Sequence, residues 1–207
     1  STYYSVSMVI FWIAMPRFWA VAGVSDLVGD LGRQLAREQP SNADVVIPVP
    51  DSSIPAAIGF SNESGIPFND GLIKNRYIGR TFIEPTQDIR ERGVALKFNA
   101  LSENLEGKRV VMIDDSLVRG TTSVKIVQMM FEAGAKEVHM AIASPPITHP
   151  DFYGIDTPEQ KSLLAATHTL EEMTQYVGVK TLTFLSVDGI YRAAGYDGRD
   201  DEDPQLT

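Results

Sequence analysis

Cysteine is absent from the 207-residue chain, and only three histidines are present. The sequence therefore excludes a disulfide, a thiolate nucleophile and a cysteine-ligated iron–sulfur cluster. Zinc is not expected either, because His139, His149 and His168 lack the spacing of zinc ligands. Positive charge is scarce as well: 18 lysines and arginines stand against 27 acidic residues, which leaves a formal net charge of −9. We expect no nucleic-acid partner, since phosphate backbones attract basic surfaces.

An apolar run long enough to cross a bilayer is also missing. The most apolar segment, residues 8–15, is short and is followed by Pro16 and Arg17. This pattern favours a buried strand or an interface segment, and the absence of a basic start argues against a signal peptide. We therefore expect a cytoplasmic protein without membrane contact. The chain begins at Ser1 rather than at a methionine, which is typical of a fragment or a processed product.

The composition that remains is that of a globular domain, because 43% of the residues are hydrophobic. We divide the chain into an N-terminal strand and helix segment (residues 1–40), one large domain (41–196) and an acidic tail (197–207). The tail combines many aspartates with few apolar residues, so we expect it to be disordered or loosely docked.

Strand patterns alternate with helix patterns along the chain. Strands are predicted over residues 45–49, 66–73, 108–113, 136–143 and 181–185. Helices are predicted over residues 25–39, 54–64, 122–133 and 187–194, and two short helices are predicted to start at Thr157 and Thr169. The long polar segment 74–92 is predicted to be a mobile lid. Such alternation predicts an α/β fold with a mainly parallel central sheet, flanked by helices, whose loops gather at one edge.

Residues 110–123, VVMIDDSLVRGTTS, form the most informative stretch. Residues 110–113 are suited to a strand that is buried on both faces. Asp114 and Asp115 follow at its carboxyl end, where open parallel sheets bind their ligands. Residues 119–123 then form a small, hydroxyl-rich turn that leads directly into a helix. The turn offers backbone N–H groups and a helix dipole to a phosphate, while the carboxylates offer oxygens to sugar hydroxyls or Mg²⁺.

Each half of this stretch has an ordinary structural explanation when it is taken alone. An acidic pair after a strand is often a solvated loop, and the Gly-Thr-Thr-Ser sequence is also good helix-capping chemistry. At this spacing, the two halves together indicate a site for a phosphorylated sugar, which needs both. The turn is neither a Walker A sequence nor a dinucleotide fingerprint.

Residues 114–123 resemble the phosphoribosyl pyrophosphate (PRPP) motif of type I phosphoribosyltransferases, in the form found in glutamine PRPP amidotransferases. Residues 46–53 resemble the pyrophosphate loop of that family, and residues 74–83 resemble the flexible loop that closes over PRPP. Residues 144–156 resemble the segment that follows the next strand. The resemblance runs from about residue 41 to the end, and it implies the type I phosphoribosyltransferase fold with a flexible lid.

The resemblance also implies a role for each loop. Asp114 and Asp115 would bind the ribose hydroxyls and, with Ser52, the cofactor Mg²⁺. Lys74, Arg76 and Arg80 would bind the departing pyrophosphate, so that they and the two aspartates are the implied catalytic residues. A solvated surface is the alternative explanation for this basic segment. The implied substrate contacts are Asp51, Ser52, Ser53, Tyr77, Ser116, Arg119, Gly120, Thr121, Thr122 and Ser123.

The implied reaction joins PRPP and ammonia to give 5-phosphoribosylamine and pyrophosphate, the first step of purine synthesis. Enzymes of this family carry an N-terminal glutaminase domain with a nucleophilic cysteine, and neither is found in this sequence. We therefore expect activity with ammonia only, with the missing glutaminase domain as a partner, and a homo-oligomer. Purine nucleotides are candidate ligands, although Ser102 stands where the family often has a basic residue. Two alternatives stay open: a PRPP- or nucleotide-binding module without catalysis, and an engineered assembly protein derived from the domain.

Overall fold

The structure, a computed structural model, describes residues 23–75, 98–150 and 159–199. Within these ranges the main sheet consists of β1 (Val45–Pro48), β4 (Arg109–Asp114), β5 (Glu137–Ile142) and β6 (Thr181–Phe184). The strands lie in the order β1-β4-β5-β6, and every neighbouring pair is parallel. A separate antiparallel pair is formed by β2 (Leu72–Lys74) and β3 (Phe98–Ala100). The predicted α/β fold with a parallel central sheet is confirmed.

Helices follow β1, β4 and β6 as the sequence predicted, whereas the short helices at Ser102–Leu105 and Leu164–Thr167 and the strand β3 were not predicted. The described helices are α1 (Gly23–Glu38), α2 (Ile54–Ser64), α3 (Ser102–Leu105), α4 (Thr121–Glu132), α5 (Leu164–Thr167), α6 (Leu170–Val177) and α7 (Val187–Ala193), with a short 3₁₀ turn at Gln160–Ser162. The capping box predicted at Thr169 is present, since its hydroxyl accepts from the Glu172 N–H and its own N–H donates to the Glu172 carboxylate. The helix start predicted at Thr157 lies outside the described residues. No helix in the described part of the chain is long and apolar enough to cross a bilayer.

The apolar run of β4 is explained by burial on both faces of the sheet. Successive side chains of a strand point to opposite faces. Val110 and Met112 accordingly lie in a core with α4 and α6, whereas Val111 and Ile113 lie in a core with α1, α2 and α7. All four side chains are at most 1% exposed. The helices therefore cover both faces, and only the ends of the strands are left for a site.

The crossing of α1 and α2 brings two backbones into close approach. A Cβ atom built on Gly32 would lie 1.9 Å from the carbonyl oxygen of Ala56, and one built on Gly59 would lie 1.9 Å from the carbonyl oxygen of Gly29. A glycine inside a helix is locally unfavourable, but Gly59 is required here by packing. Because α2 begins directly after residues 50–53, this crossing anchors the helix that follows that loop.

The extended segment predicted over residues 66–73 is only partly a strand. Phe68 forms a single parallel bridge with Val46, and β2 begins at Leu72. Pro67 has no N–H to donate, and its carbonyl accepts from the Val46 N–H at 2.8 Å. The polar Asn-Asp-Gly sequence that follows then breaks the extended run. The predicted lid at residues 74–92 and the acidic tail lie mostly outside the described residues, and the division of the chain at residues 40 and 196 stays a prediction.

Candidate functional site

Two loops leave the same edge of the main sheet from neighbouring strands. β1 and β4 pair in parallel with Pro48 beside Ile113, and the Val49 N–H donates to the Ile113 carbonyl at 2.9 Å. Neighbouring strands lie about 4.8 Å apart. The loop after β1 (residues 49–53) and the stretch after β4 (residues 114–123) therefore emerge side by side, as expected for the carboxyl ends of parallel strands.

The acidic pair lies where β4 ends. Asp114 is the last residue of the strand, and the Asp115 N–H donates to its Oδ1 atom at 2.9 Å. Burial, followed by the negative charge of Asp115, raises the pKa of the Asp114 carboxyl well above its ordinary value. Desolvation disfavours the ionised carboxylate. A ligand that brought a cation or hydroxyl donors to this position would favour the charged form again.

The turn after the acidic pair leads into α4 through a left-handed glycine. Gly120 has a φ of +74° and is buried. Among the described residues, no side chain caps the start of α4. The first backbone N–H groups of the helix, at Thr121, Thr122 and Ser123, lack intrahelical acceptors and suit an anion. The Thr121 and Thr122 side chains are exposed and Ser123 is buried, while Arg119 is exposed beside the turn.

Lys74, at the end of β2, forms an ion pair with Asp51 in the loop after β1. The Lys74 ammonium lies 2.9 Å from Asp51 Oδ2, and both side chains are about half exposed. Ser52 is exposed, whereas Ser53 is buried and its hydroxyl donates to the carbonyl of Val49. The peptide bond between Pro50 and Asp51 is cis. Sequence reasoning missed this bond, because cis geometry is expected at the bond that precedes a proline.

The structure thus brings together one part of the predicted site and leaves another undescribed. Asp114, Asp115 and Ser116 directly precede the turn at residues 119–123, and the Ser116 hydroxyl is 3.5 Å from Asp115 Oδ1. Asp51, Ser52 and Lys74 lie at the neighbouring loop. Arg76, Tyr77 and Arg80, which the sequence assigned to the lid, lie outside the described residues.

One element beside the turn was not anticipated. The Leu164 N–H donates to the Val118 carbonyl at 2.8 Å, and the side chains of Leu164 and Tyr176 pack against Gly120. The capping box predicted the start of α6, but no local signal indicates which loop a helix will pack against.

A magnesium ion fits the donors that are present. In the described ranges, no cluster of three or more His, Asp or Glu side chains could hold a metal ion by itself. Mg²⁺ requires only one or two carboxylates when substrate oxygens and water complete its coordination. The Asp114 and Asp115 carboxylates, which are adjacent at the end of β4, meet that requirement.

Comparison with known proteins agrees with this geometry. Residues 22–146 match the phosphoribosyl transferase domain family, which is more than half of the chain. The chain belongs to this family. The matched range of the phosphoribosyl transferase domain includes β1 to β5, the acidic pair, the turn before α4 and the loop after β1.

Two proteins similar to this chain are amidophosphoribosyltransferases. The enzyme of Rhizobium etli is 58% identical over 179 residues, which cover 86% of this chain and 36% of that protein. The enzyme of Bacillus subtilis is 58% identical over 166 residues, which cover 80% of this chain and 35% of that protein. The chain thus spans about a third of the length of the curated relatives it matches.

A solved structure gives the same result for the fold. The glutamine PRPP amidotransferase of B. subtilis, complexed with ADP and GMP, superposes with a TM-score of 0.77 at 55% sequence identity. The match covers 86% of this chain and 39% of that one. The type I phosphoribosyltransferase fold and the resemblance to PRPP amidotransferases are therefore confirmed. The family match begins at residue 22, before residue 41 where the resemblance was expected to begin.

Proposed function

We propose that this chain binds PRPP with Mg²⁺ and transfers its phosphoribosyl group to ammonia, which yields 5-phosphoribosylamine and pyrophosphate. One observation carries the proposal: an acidic pair and a helix start without a side-chain cap follow β4, beside the loop after the neighbouring strand β1, where the Lys74 ammonium pairs with Asp51. The names of the relatives support the reaction type. The reaction would be the first step of purine synthesis, in the cytoplasm, and we extend the proposal to a homo-oligomer.

The 5-phosphate of PRPP would bind at the start of α4. Backbone N–H groups of Thr121, Thr122 and Ser123 would donate to its oxygens, and the exposed threonine hydroxyls would add further donors. Arg119 and Gly120 belong to the same turn, and Gly120 supplies the left-handed backbone conformation from which α4 begins.

The ribose would lie over the end of β4. Asp114 and Asp115 would accept hydrogen bonds from its two hydroxyls, and the same carboxylates, together with Ser52, would hold Mg²⁺. When bound, Mg²⁺ supplies positive charge that stabilises the developing pyrophosphate anion. Because burial raises the pKa of Asp114, ligand hydroxyls and cations would also relieve an unfavourable charged state.

Group transfer breaks the bond between C1 of the ribose and its pyrophosphate oxygen, and the electron pair leaves with the pyrophosphate. The nitrogen lone pair of ammonia forms the new bond to C1, and one proton passes from nitrogen to solvent. Lys74 would stabilise the departing charge, with Arg76, Tyr77 and Arg80 of the implied lid closing over it. Such electrostatic stabilisation is often the largest single contribution to catalysis.

Pyrophosphate release tests the proposal directly. The 207-residue chain is incubated with PRPP, Mg²⁺ and ammonium at alkaline pH, with glutamine replacing ammonium in a parallel sample. We expect release with ammonium only, and a decrease of at least ~100-fold when Asp114 and Asp115 are both replaced by Asn. Asp197→Asn, an exposed aspartate outside the site, is the matched control. Unchanged release from the double variant would contradict the proposal.

A second candidate function is nucleotide binding without turnover. The B. subtilis relative of known structure is complexed with ADP and GMP. A nucleoside monophosphate carries ribose hydroxyls and a 5-phosphate, the groups that the stretch 114–123 is proposed to recognise. Calorimetry that detects GMP or PRPP binding by a chain that releases no pyrophosphate would favour this function over the first.

A further inference from the structure

Gly120 is packed from outside the turn by two side chains of the C-terminal half of the chain. A Cβ atom built on Gly120 would lie 2.9 Å from Leu164 Cδ2 and 3.0 Å from Tyr176 Cε1. A backbone hydrogen bond joins the same elements, since the Leu164 N–H donates to the Val118 carbonyl at 2.8 Å. The turn between the acidic pair and α4 therefore rests against residues that follow it by more than forty positions.

Packing in the hydrophobic core explains the position of Leu164 but not that of Tyr176. Leu164 is 5% exposed and belongs to the core shared with α4, so core packing accounts for it. Tyr176 remains 44% exposed, and burial of its ring in a core does not account for it. Among the described residues, the Tyr176 ring also lies near the ring of His168, with a centroid separation of 6.1 Å. The ring of Tyr176 thus lies against Gly120 without being buried in the core.

The helix that carries Tyr176 is well defined at both ends. The Thr169 hydroxyl and the Glu172 carboxylate form a capping box at its start, and Gly178 ends it in the left-handed conformation. Met173 and Val177 of the same helix are buried in the core. A planar side chain on a helix held in this way presents a rigid surface to the turn, because an aromatic ring has only two side-chain torsions.

We infer that Tyr176 is a positioning residue for the phosphate-binding turn: its ring supports Gly120 and so holds the first N–H groups of α4 in place for the 5-phosphate. The inference rests on the proposed function, because Tyr176 would support the part of the proposed PRPP site that binds the 5-phosphate. Misplacement of a binding group by about 1 Å can change a rate on the order of a hundredfold, so partial loosening of the turn has a measurable effect.

The test measures binding of the ribose 5-phosphate part and of the pyrophosphate part of PRPP separately. Binding of PRPP with Mg²⁺ is measured by calorimetry, and ribose 5-phosphate and pyrophosphate are then used as competitors. For Tyr176→Ala we expect roughly tenfold weaker competition by ribose 5-phosphate and unchanged competition by pyrophosphate, for which the loop after β1 is the proposed site. Tyr176→Phe retains the ring that contacts Gly120 and should restore ribose 5-phosphate binding.

Phe131→Ala is the matched control, because Phe131 is an aromatic residue of similar exposure (42%) at the opposite end of α4. Tyr176→Leu, which keeps an apolar side chain without the planar ring, replaces the alanine variant if that variant does not fold. Three outcomes would each overturn the inference. Tyr176→Ala could weaken competition by ribose 5-phosphate and by pyrophosphate equally, or it could leave competition by ribose 5-phosphate unchanged. Phe131→Ala could also weaken competition by ribose 5-phosphate. Absence of PRPP binding by the unmodified chain would instead overturn the proposed function.

Discussion

The Lys74 ammonium lies 2.9 Å from Asp51 Oδ2, and this ion pair joins β2 to the loop after β1. Asp51 precedes Ser52 in the loop proposed for pyrophosphate, where an uncompensated carboxylate would repel the ligand. Pairing with Lys74 compensates that charge. As an exposed pair it contributes little to folding stability, so its consequence lies in ligand binding.

Replacement of Lys74 by Ala is expected to weaken PRPP binding by roughly tenfold, because one attractive charge is lost and the Asp51 carboxylate is left uncompensated. The double variant Lys74→Ala with Asp51→Asn should recover part of the loss. Calorimetry at two salt concentrations measures both effects, since screening weakens them. Lys161→Ala removes another exposed lysine that is paired, with Glu159 at 2.5 Å, and should bind PRPP normally. A double variant weaker than the single one would contradict this view of Asp51.

Replacement of Asp114 by Asn is expected to increase stability while it reduces activity. The folded-state pKa of Asp114 is raised by burial and by Asp115, so the contribution of this carboxyl to stability is present at acid pH. It is lost as the pH rises through the folded-state pKa. Urea unfolding from pH 4 to pH 8 should therefore show a flatter stability profile for Asp114→Asn, with a higher free energy of unfolding at the alkaline end.

Ligands supply the complementary measurement for Asp114. PRPP with Mg²⁺ should raise the Tm of the unmodified chain, because a ligand that binds only the folded state stabilises it. The rise should be smaller for Asp114→Asn. Asp197→Asn should resemble the unmodified chain in both measurements. Equal pH profiles for Asp114→Asn and the unmodified chain would contradict a raised pKa of the Asp114 carboxyl.

Replacement of Gly32 by Ala should destabilise the fold by about 2 kcal/mol, since its Cβ would lie 1.9 Å from the Ala56 carbonyl oxygen and force α1 and α2 apart. Gly29→Ala in the same helix is the matched control, because its Cβ would lie 3.7 Å from the nearest atom, the Pro55 carbonyl oxygen. Alanine has the higher helix propensity, so that control should gain up to about 1 kcal/mol. Free energies of unfolding in urea distinguish the two, and equal values would contradict the close crossing.

Acid sensitivity is expected from the ion pair between Asp44 and Arg109, at the amino end of the sheet. Hydrogen bonds from the Arg109 side chain, and then from its backbone N–H, lower the pKa of Asp44 from 3.8 to about 2. Its contribution is therefore present above pH 3.8 and is lost as the pH falls through about 2. In acid titrations followed by circular dichroism, Asp44→Asn should lose less stability over this interval than the unmodified chain. Asp70→Asn, an exposed aspartate, should behave as the unmodified chain does.

Local sequence signals predicted several elements of the site correctly. The apolar residues 110–113 specify a doubly buried strand, and Asp114 follows it at the edge where ligands bind. A glycine followed by two threonines specifies a turn into a helix, and Thr169 with Glu172 specifies the start of α6. Each signal acts through the backbone or side chains of a few consecutive residues, so it can be detected in the sequence alone.

The sequence by itself therefore determined the parallel α/β order of elements and the types of residue that follow β4. Only the tertiary structure decided that Lys74 meets Asp51, that Tyr176 rests on Gly120 and that Gly32 meets Ala56. These contacts join residues far apart in the chain, and they depend on how complete helices and strands pack. Periodicity and capping describe the conformation of one segment, whereas the choice of its neighbour is made by shape and charge across the whole fold.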